Sequence, residues 1–132
     1  MERFYNAGCN PKQLSPLTLA FIGDGVFELF VRERLVSRGN CPVHALHKNT
    51  VQQVCCTAQA KAGELLQDYL TEEETDIYRR GRNAHVSHVP KNANPADYHA
   101  ATALETLFGY LYLKGDLERL RELFQLICDH SE

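Results

Sequence analysis

AATALETLFGYLYL, residues 100–113, decides the fold class. Glu105 is its only charged residue, and Gly115 interrupts the pattern shortly afterwards. The stretch reads as a long apolar helix from about Asp97 to Lys114. A second stretch, LAFIGDGVFELF at residues 19–30, has the same character. From Thr18 to Phe27, Asp24 is the only charge. Ser15-Pro16 supplies an N-cap followed by proline in the first turn. This helix is expected to run to about Arg38 and stop at Gly39-Asn40. Its apolar positions include Leu17, Phe21, Phe27, Phe30, Val31 and Leu35. Consecutive apolar residues place it with more than one side buried.

The remaining chain is also helical in pattern. A short helix is expected over Val43 to Lys48. A longer one follows from about Thr50 to Leu70, with Val51, Val54, Cys55, Ala58, Ala62, Leu65 and Tyr69 inward. Thr71 with Glu74 three residues on forms a capping box and opens a helix to about Arg80. Glycine, two prolines and several asparagines mark a loop from Gly81 to Pro95. Asp116 caps a last helix ending near Asp129. No convincing strand pair occurs. The expected fold is all-α, a compact bundle of six or so helices.

The 132 residues fit one domain, spanning 1–132, large enough for a core without disulfide staples. Hydrophobic residues make up 44% and charged residues 23%, a soluble, globular composition. Net charge is −3, so any basic surface that attracts nucleic acid must be local. Five cysteines, two of them adjacent, speak against a disulfide framework and for a reducing cytoplasm. The first ten residues, MERFYNAGCN, do not read as a targeting segment. No run approaches the ~20 apolar residues of a membrane span.

An ionised carboxylate away from water is costly unless something pairs with it. Two lone acids in two apolar helices therefore suggest a shared cation. Small neighbours leave room for one: Ala20 beside Asp24, and Ala101, Thr102 and Gly109 beside Glu105. Gly23, Gly25 and Gly109 each cost a helix roughly 1 kcal/mol against alanine, so close helix approach or access to the acids is expected there. Hard oxygen ligands suit Mg²⁺, which keeps several waters and takes phosphate oxygens. The alternative is that a buried base or backbone amide satisfies each acid. Spacing alone does not bring the two together.

The segment RRGRNAHVSHVPKNAN, residues 79–94, contains Arg79, Arg80, Arg82 and Lys91 and no acid. Arginine forks suit phosphate oxygens, although a basic cluster is also an ordinary solvated surface. His44-x-x-His47, His85-x-x-His88 and Cys55-Cys56 have plausible spacing for zinc but lack a paired-cysteine motif. Glu28, one turn after Asp24, reads as a surface or dimer-face glutamate, with support of the acid site from behind as the alternative. Tyr98 could reach a metal-bound water, and partial burial of an aromatic explains it equally. Tyr110 and Tyr112 read as packing or dimer residues.

FIGDGVFEL resembles the signature helix of the ribonuclease III family, and ATALETLFGYLYL resembles its second catalytic helix. The likeness is closest to that family's short bacterial branch, the Mini-ribonuclease III type, which lacks a double-stranded-RNA-binding domain. ALHK at 45–48, AQA at 58–60, RRGRNA at 79–84 and PKN at 90–92 extend it over nearly the whole chain. The resemblance implies a homodimeric endoribonuclease. It implies Mg²⁺-dependent hydrolysis of double-stranded RNA, leaving 5′-phosphate and 3′-hydroxyl ends. The implied substrate is the paired stem of the large-subunit (23S) ribosomal RNA precursor, with a ribosomal protein as a possible helper. Asp24 and Glu105 fall on the family's two catalytic, metal-holding acids.

Two further acids of the full-length enzymes are replaced here, by Ala20 and Thr102. The short branch shares this thinner ligand shell. Without a separate RNA-binding domain, the catalytic domain must grip its own duplex. Arg80, Arg82, Asn83, Lys91 and Asn92 are the candidates, with His47 and Lys48 in second rank. A catalytically silent RNA-binding module of the same fold is the main alternative, and a purely structural helical dimer is another. Retention of both acids beside a phosphate backbone speaks against a pure binder.

Overall fold

The computed structural model describes residues 3–5, 8–86 and 88–131. Parts of the amino-terminal reading, and residue 87 of the expected loop, lie outside them. Among the described residues there are six α-helices and no strand. They are α1 (Pro16–Val36), α2 (Val43–Val54), α3 (Cys56–Leu66), α4 (Glu72–Arg82), α5 (Pro95–Lys114) and α6 (Leu117–His130).

Helix α5 is the axis of the bundle and packs against α1, α3, α4 and α6. Its ends are set locally. The Asn94 side chain accepts from the Ala96 and Asp97 amides, Pro95 starts the first turn, and Gly115 closes the helix at φ 86°. Leu104, Leu107 and Phe108 are fully buried along it. Such a side chain contributes about 1.5–3 kcal/mol through burial. Phe108 meets Phe27 edge-on, and Phe27 and Phe30 both contact Phe124 of α6.

Helix α1 crosses α5 at two glycines. A Cβ on Gly23 would run into the Glu105 carbonyl, and one on Gly109 into the Leu19 carbonyl. The two backbones touch where α1 runs Leu19 to Gly23 and α5 runs back from Gly109 to Glu105. Gly81 of α4 packs in the same way, against Thr106 and Ala103.

The capping box is complete: Thr71 Oγ1 accepts from the Glu74 amide, and the Thr71 amide donates to Glu74. Glu74 is buried and meets the Arg119 guanidinium with two parallel bonds of 2.8 and 2.9 Å. Three sequence expectations need correction. The second helical region breaks at Cys55 (ψ 158°), not near Asn49. The break turns α3 so that Gln59, Ala62, Gly63 and Leu66 face the core, while Val51, Cys55 and Tyr69 are exposed. On α1, Phe21 is 84% exposed and Leu17 40% exposed, so the helix is buried on fewer sides than its composition suggests.

Candidate active site

The crossing of α1 and α5 brings the two lone acids together. Asp24 follows Gly23, whose Cα faces the Glu105 carbonyl, so the acids flank the point of closest approach. Asp24 is exposed and Glu105 half-buried. Neither has an ion-pair partner among the described residues. Burial, followed by the adjacent Asp24 carboxylate, pushes the Glu105 carboxyl up to about 8. The buried Gln59 amide lies beside Glu105 and offsets part of that rise.

This donor set fits a hard divalent cation. Among the described residues neither acid has a cationic side chain to pair with, and a divalent cation would relieve both the burial and the mutual repulsion of their ionised forms. The shell is thin. Ala20 and Thr102 are buried, and the Thr102 hydroxyl donates to the Tyr98 carbonyl at 3.0 Å, so it does not replace the missing acid. Among the described residues no group of three His, Cys, Asp or Glu gathers, whether at the acid pair, at the two histidine pairs or at Cys55-Cys56. Glu28 forms an i,i+4 pair with Arg32 at 2.9 Å, in keeping with a surface glutamate. Tyr98 lies half-buried against His99. Tyr110 is buried and donates to Glu73, and Tyr112 accepts from the Phe4 amide.

The basic residues lie on separate elements. Arg80 and Arg82 are exposed in the last turn of α4, and Asn83 is its C-cap. Arg79 pairs with Asp76. These arginines, opposite Glu72, Glu73 and Glu74 in the first turn, also complement the helix dipole. Lys91 and Asn92 sit exposed in a turn before α5. His47 and Lys48 are exposed on α2, which packs against α1 and α3.

The sequence reading missed Gln59. Its signal was the spacing 59, 62, 63, 66, a core face that carries one amide, hidden because the helix was assigned the wrong phase.

Comparison with known proteins decides the family. The Ribonuclease III domain model matches residues 17–116, which include both acids and α1 through α5. The chain belongs to the ribonuclease III family. It is 50% identical to a Mini-ribonuclease 3 from Symbiobacterium thermophilum, over 93% of this chain and 95% of that one. It is 49% identical to a Mini-ribonuclease 3 from Thermoanaerobacter, over 86% and 80%. A crystal structure of a Fusobacterium nucleatum protein superposes with a TM-score of 0.83 at 26% identity, covering 92% of this chain and 97% of that one. Family membership makes the chain an endoribonuclease.

Proposed function

We propose that the chain hydrolyses double-stranded RNA with Mg²⁺ held between Asp24 and Glu105, and that it matures the large-subunit (23S) ribosomal RNA precursor. The observation that carries this reading is the pair of adjacent acids with no ion-pairing base among the described residues. When bound, the cation supplies Lewis-acid activation of water and of the scissile phosphate.

The chain's own residues set the rest. Exposed Asp24 gives the phosphate backbone access to the pair, while half-buried Glu105 keeps its inner side dry. The glycine crossing sets the spacing of the two backbone segments that carry the acids. Arg80, Arg82, Asn83, Lys91 and Asn92 face solvent and suit phosphate and 2′-hydroxyl contacts along an A-form duplex, with His47 and Lys48 as a second set. Hydrolysis leaves 5′-phosphate and 3′-hydroxyl ends. The ribonuclease III domain itself contacts the duplex through these side chains. A ribosomal protein on the precursor assists. The working unit is a homodimer: Phe21 and Leu29 of α1 are exposed, and an apolar groove of about 1090 Å³ runs beside Val26, Leu29, Phe30 and Phe124. No described helix is long and apolar enough to cross a membrane, and the enzyme works in the cytoplasm.

The test is cleavage of a ribosomal-RNA precursor stem with Mg²⁺, comparing wild type with Asp24→Asn and measuring binding in parallel. Wild type is expected to cut, and Asp24→Asn to bind without cutting. If both bind and neither cuts across a range of metals and salt, the chain is an RNA-binding module.

A further inference from the structure

We propose that Gln59 is a positioning residue for the acid pair: its side-chain amide donates to the ionised Glu105 carboxylate and holds it toward the cation. This inference rests on the reading of Asp24 and Glu105 as a cation site.

Three observations carry it. Gln59 is 2% exposed, on the face of α3 that packs against α5. Its Nε2 is buried and makes no hydrogen bond among the described residues. A buried amide left unsatisfied lowers stability, so an orphan in a well-packed core calls for a reason. The carboxyl beside this amide is that of Glu105, on the helix against which α3 packs.

The surroundings restrict what else Gln59 could do. Its neighbours on the α3 core face are Ala62, Gly63 and Leu66, which offer no polar side chain. One turn along α3, the Tyr78 hydroxyl and ring edge pack against Gly63. With Ala20 and Thr102 in place of acids, the carboxylate pair has few groups of its own to orient it. A glutamine is suited to this task. It donates to a carboxylate without adding a negative charge that would repel the pair, or a positive charge that would replace the cation. Outer partners of this kind orient ligating carboxylates and tune their affinity for metal.

The experiment measures Mn²⁺ binding to the full chain by titration calorimetry, without RNA, for wild type, Gln59→Leu, Gln59→Met and Asp24→Asn. Thermal midpoints are recorded for each in chelator. Both Gln59 variants remove the donor, keep the volume, and eliminate the orphan amide. The expected result is Mn²⁺ affinity about 10- to 100-fold weaker in the Gln59 variants, with a cation-free midpoint equal to or above wild type. In cleavage assays kcat should fall while KM for duplex RNA is unchanged. Mn²⁺ affinity equal to wild type in a folded Gln59 variant, with Asp24→Asn weakened, overturns the role of Gln59 alone. Equal affinity in wild type and Asp24→Asn overturns the cation site and this inference with it. Two substitutions of different shape guard against a packing failure in either one.

Discussion

Two glutamates are drawn into the bundle, and they are treated oppositely. Glu74, at the start of α4, has everything a buried carboxylate needs. Burial would raise its carboxyl, but the Arg119 fork and the Thr71 amide outweigh that and hold it below the usual carboxylate range. Arg119 in turn also donates to the Tyr69 carbonyl, so the pair ties α4, α6 and the segment after α3 together. Glu105 has no base among the described residues, faces a second acid, and is pushed up to about 8. One site is satisfied and structural. The other is left incomplete by the protein, and an incomplete electrostatic site in a fold that satisfies its other buried acid is where chemistry is expected.

The largest effect should come from the platform under Glu105. Gly23→Ala or Gly109→Ala forces a Cβ into a carbonyl of the facing helix. Each is expected to cost about 4 kcal/mol or more, read as loss of a cooperative urea transition. A folded, active Gly109→Ala would show that the backbone contact does not set the distance between the acids.

Breaking the satisfied glutamate comes next. Arg119→Met strands Glu74 among buried groups and should cost about 3 kcal/mol in denaturant unfolding. Cleavage per folded molecule should be unchanged, because Arg119 bonds to Glu74, Glu122 and the Tyr69 carbonyl and not to either acid of the pair. A matching loss of specific activity would couple the two sites.

The third test uses pH in the presence of a chelator. The folded Glu105 carboxyl titrates near 8, against about 4.5 for the ordinary group. In that window the folded state holds the extra proton, so its stabilising effect is complete below about pH 4.5 and is lost as pH rises through about 8. Glu74 acts in the reverse sense. Its lowered carboxyl stabilises above the unfolded value, and that stability is lost as pH falls below it. Glu105→Gln should remove that loss, about 1.4 kcal/mol for each pH unit between the two values, and leave the acid limb intact. A parallel decline in both proteins would assign the high-pH loss to another group.

The smallest effect concerns the exposed bases. Arg82→Ala and Lys91→Ala should leave stability within about 0.5 kcal/mol. Each should lower the salt dependence of duplex-RNA binding by about one unit of the log–log slope. An unchanged slope assigns that residue to the solvated surface.

What could be read from the sequence follows the range of the interactions. Thr71 and Glu74 announce their capping box because both partners lie within one turn. Pro16 and Gly115 mark helix ends for the same reason, whereas the Asn94 cap emerged only in the structure. The break at Cys55 was hidden because no glycine or proline signals it, and the wrong phase then hid Gln59. Phe21 looks like core by type yet is exposed, because burial depends on a neighbouring surface that helical periodicity cannot report. Asp24 and Glu105 were each conspicuous alone. Their adjacency depends on two helices crossing through glycines far apart in the chain, which no local spacing contains.

The meeting of α1 and α5 through bare backbone has a consequence for how such a protein changes over time. Where side chains set the spacing between two helices, every exchange of a core residue shifts whatever those helices carry. Here the span between the acids is fixed by carbonyls against glycines. Phe27, Leu104 and Leu107 can be traded for residues of similar volume, altering melting temperature while the reaction centre stays in register. A lineage adapting to a hotter or colder habitat can rewrite most of its interior and keep its chemistry, provided two glycines stay where they are.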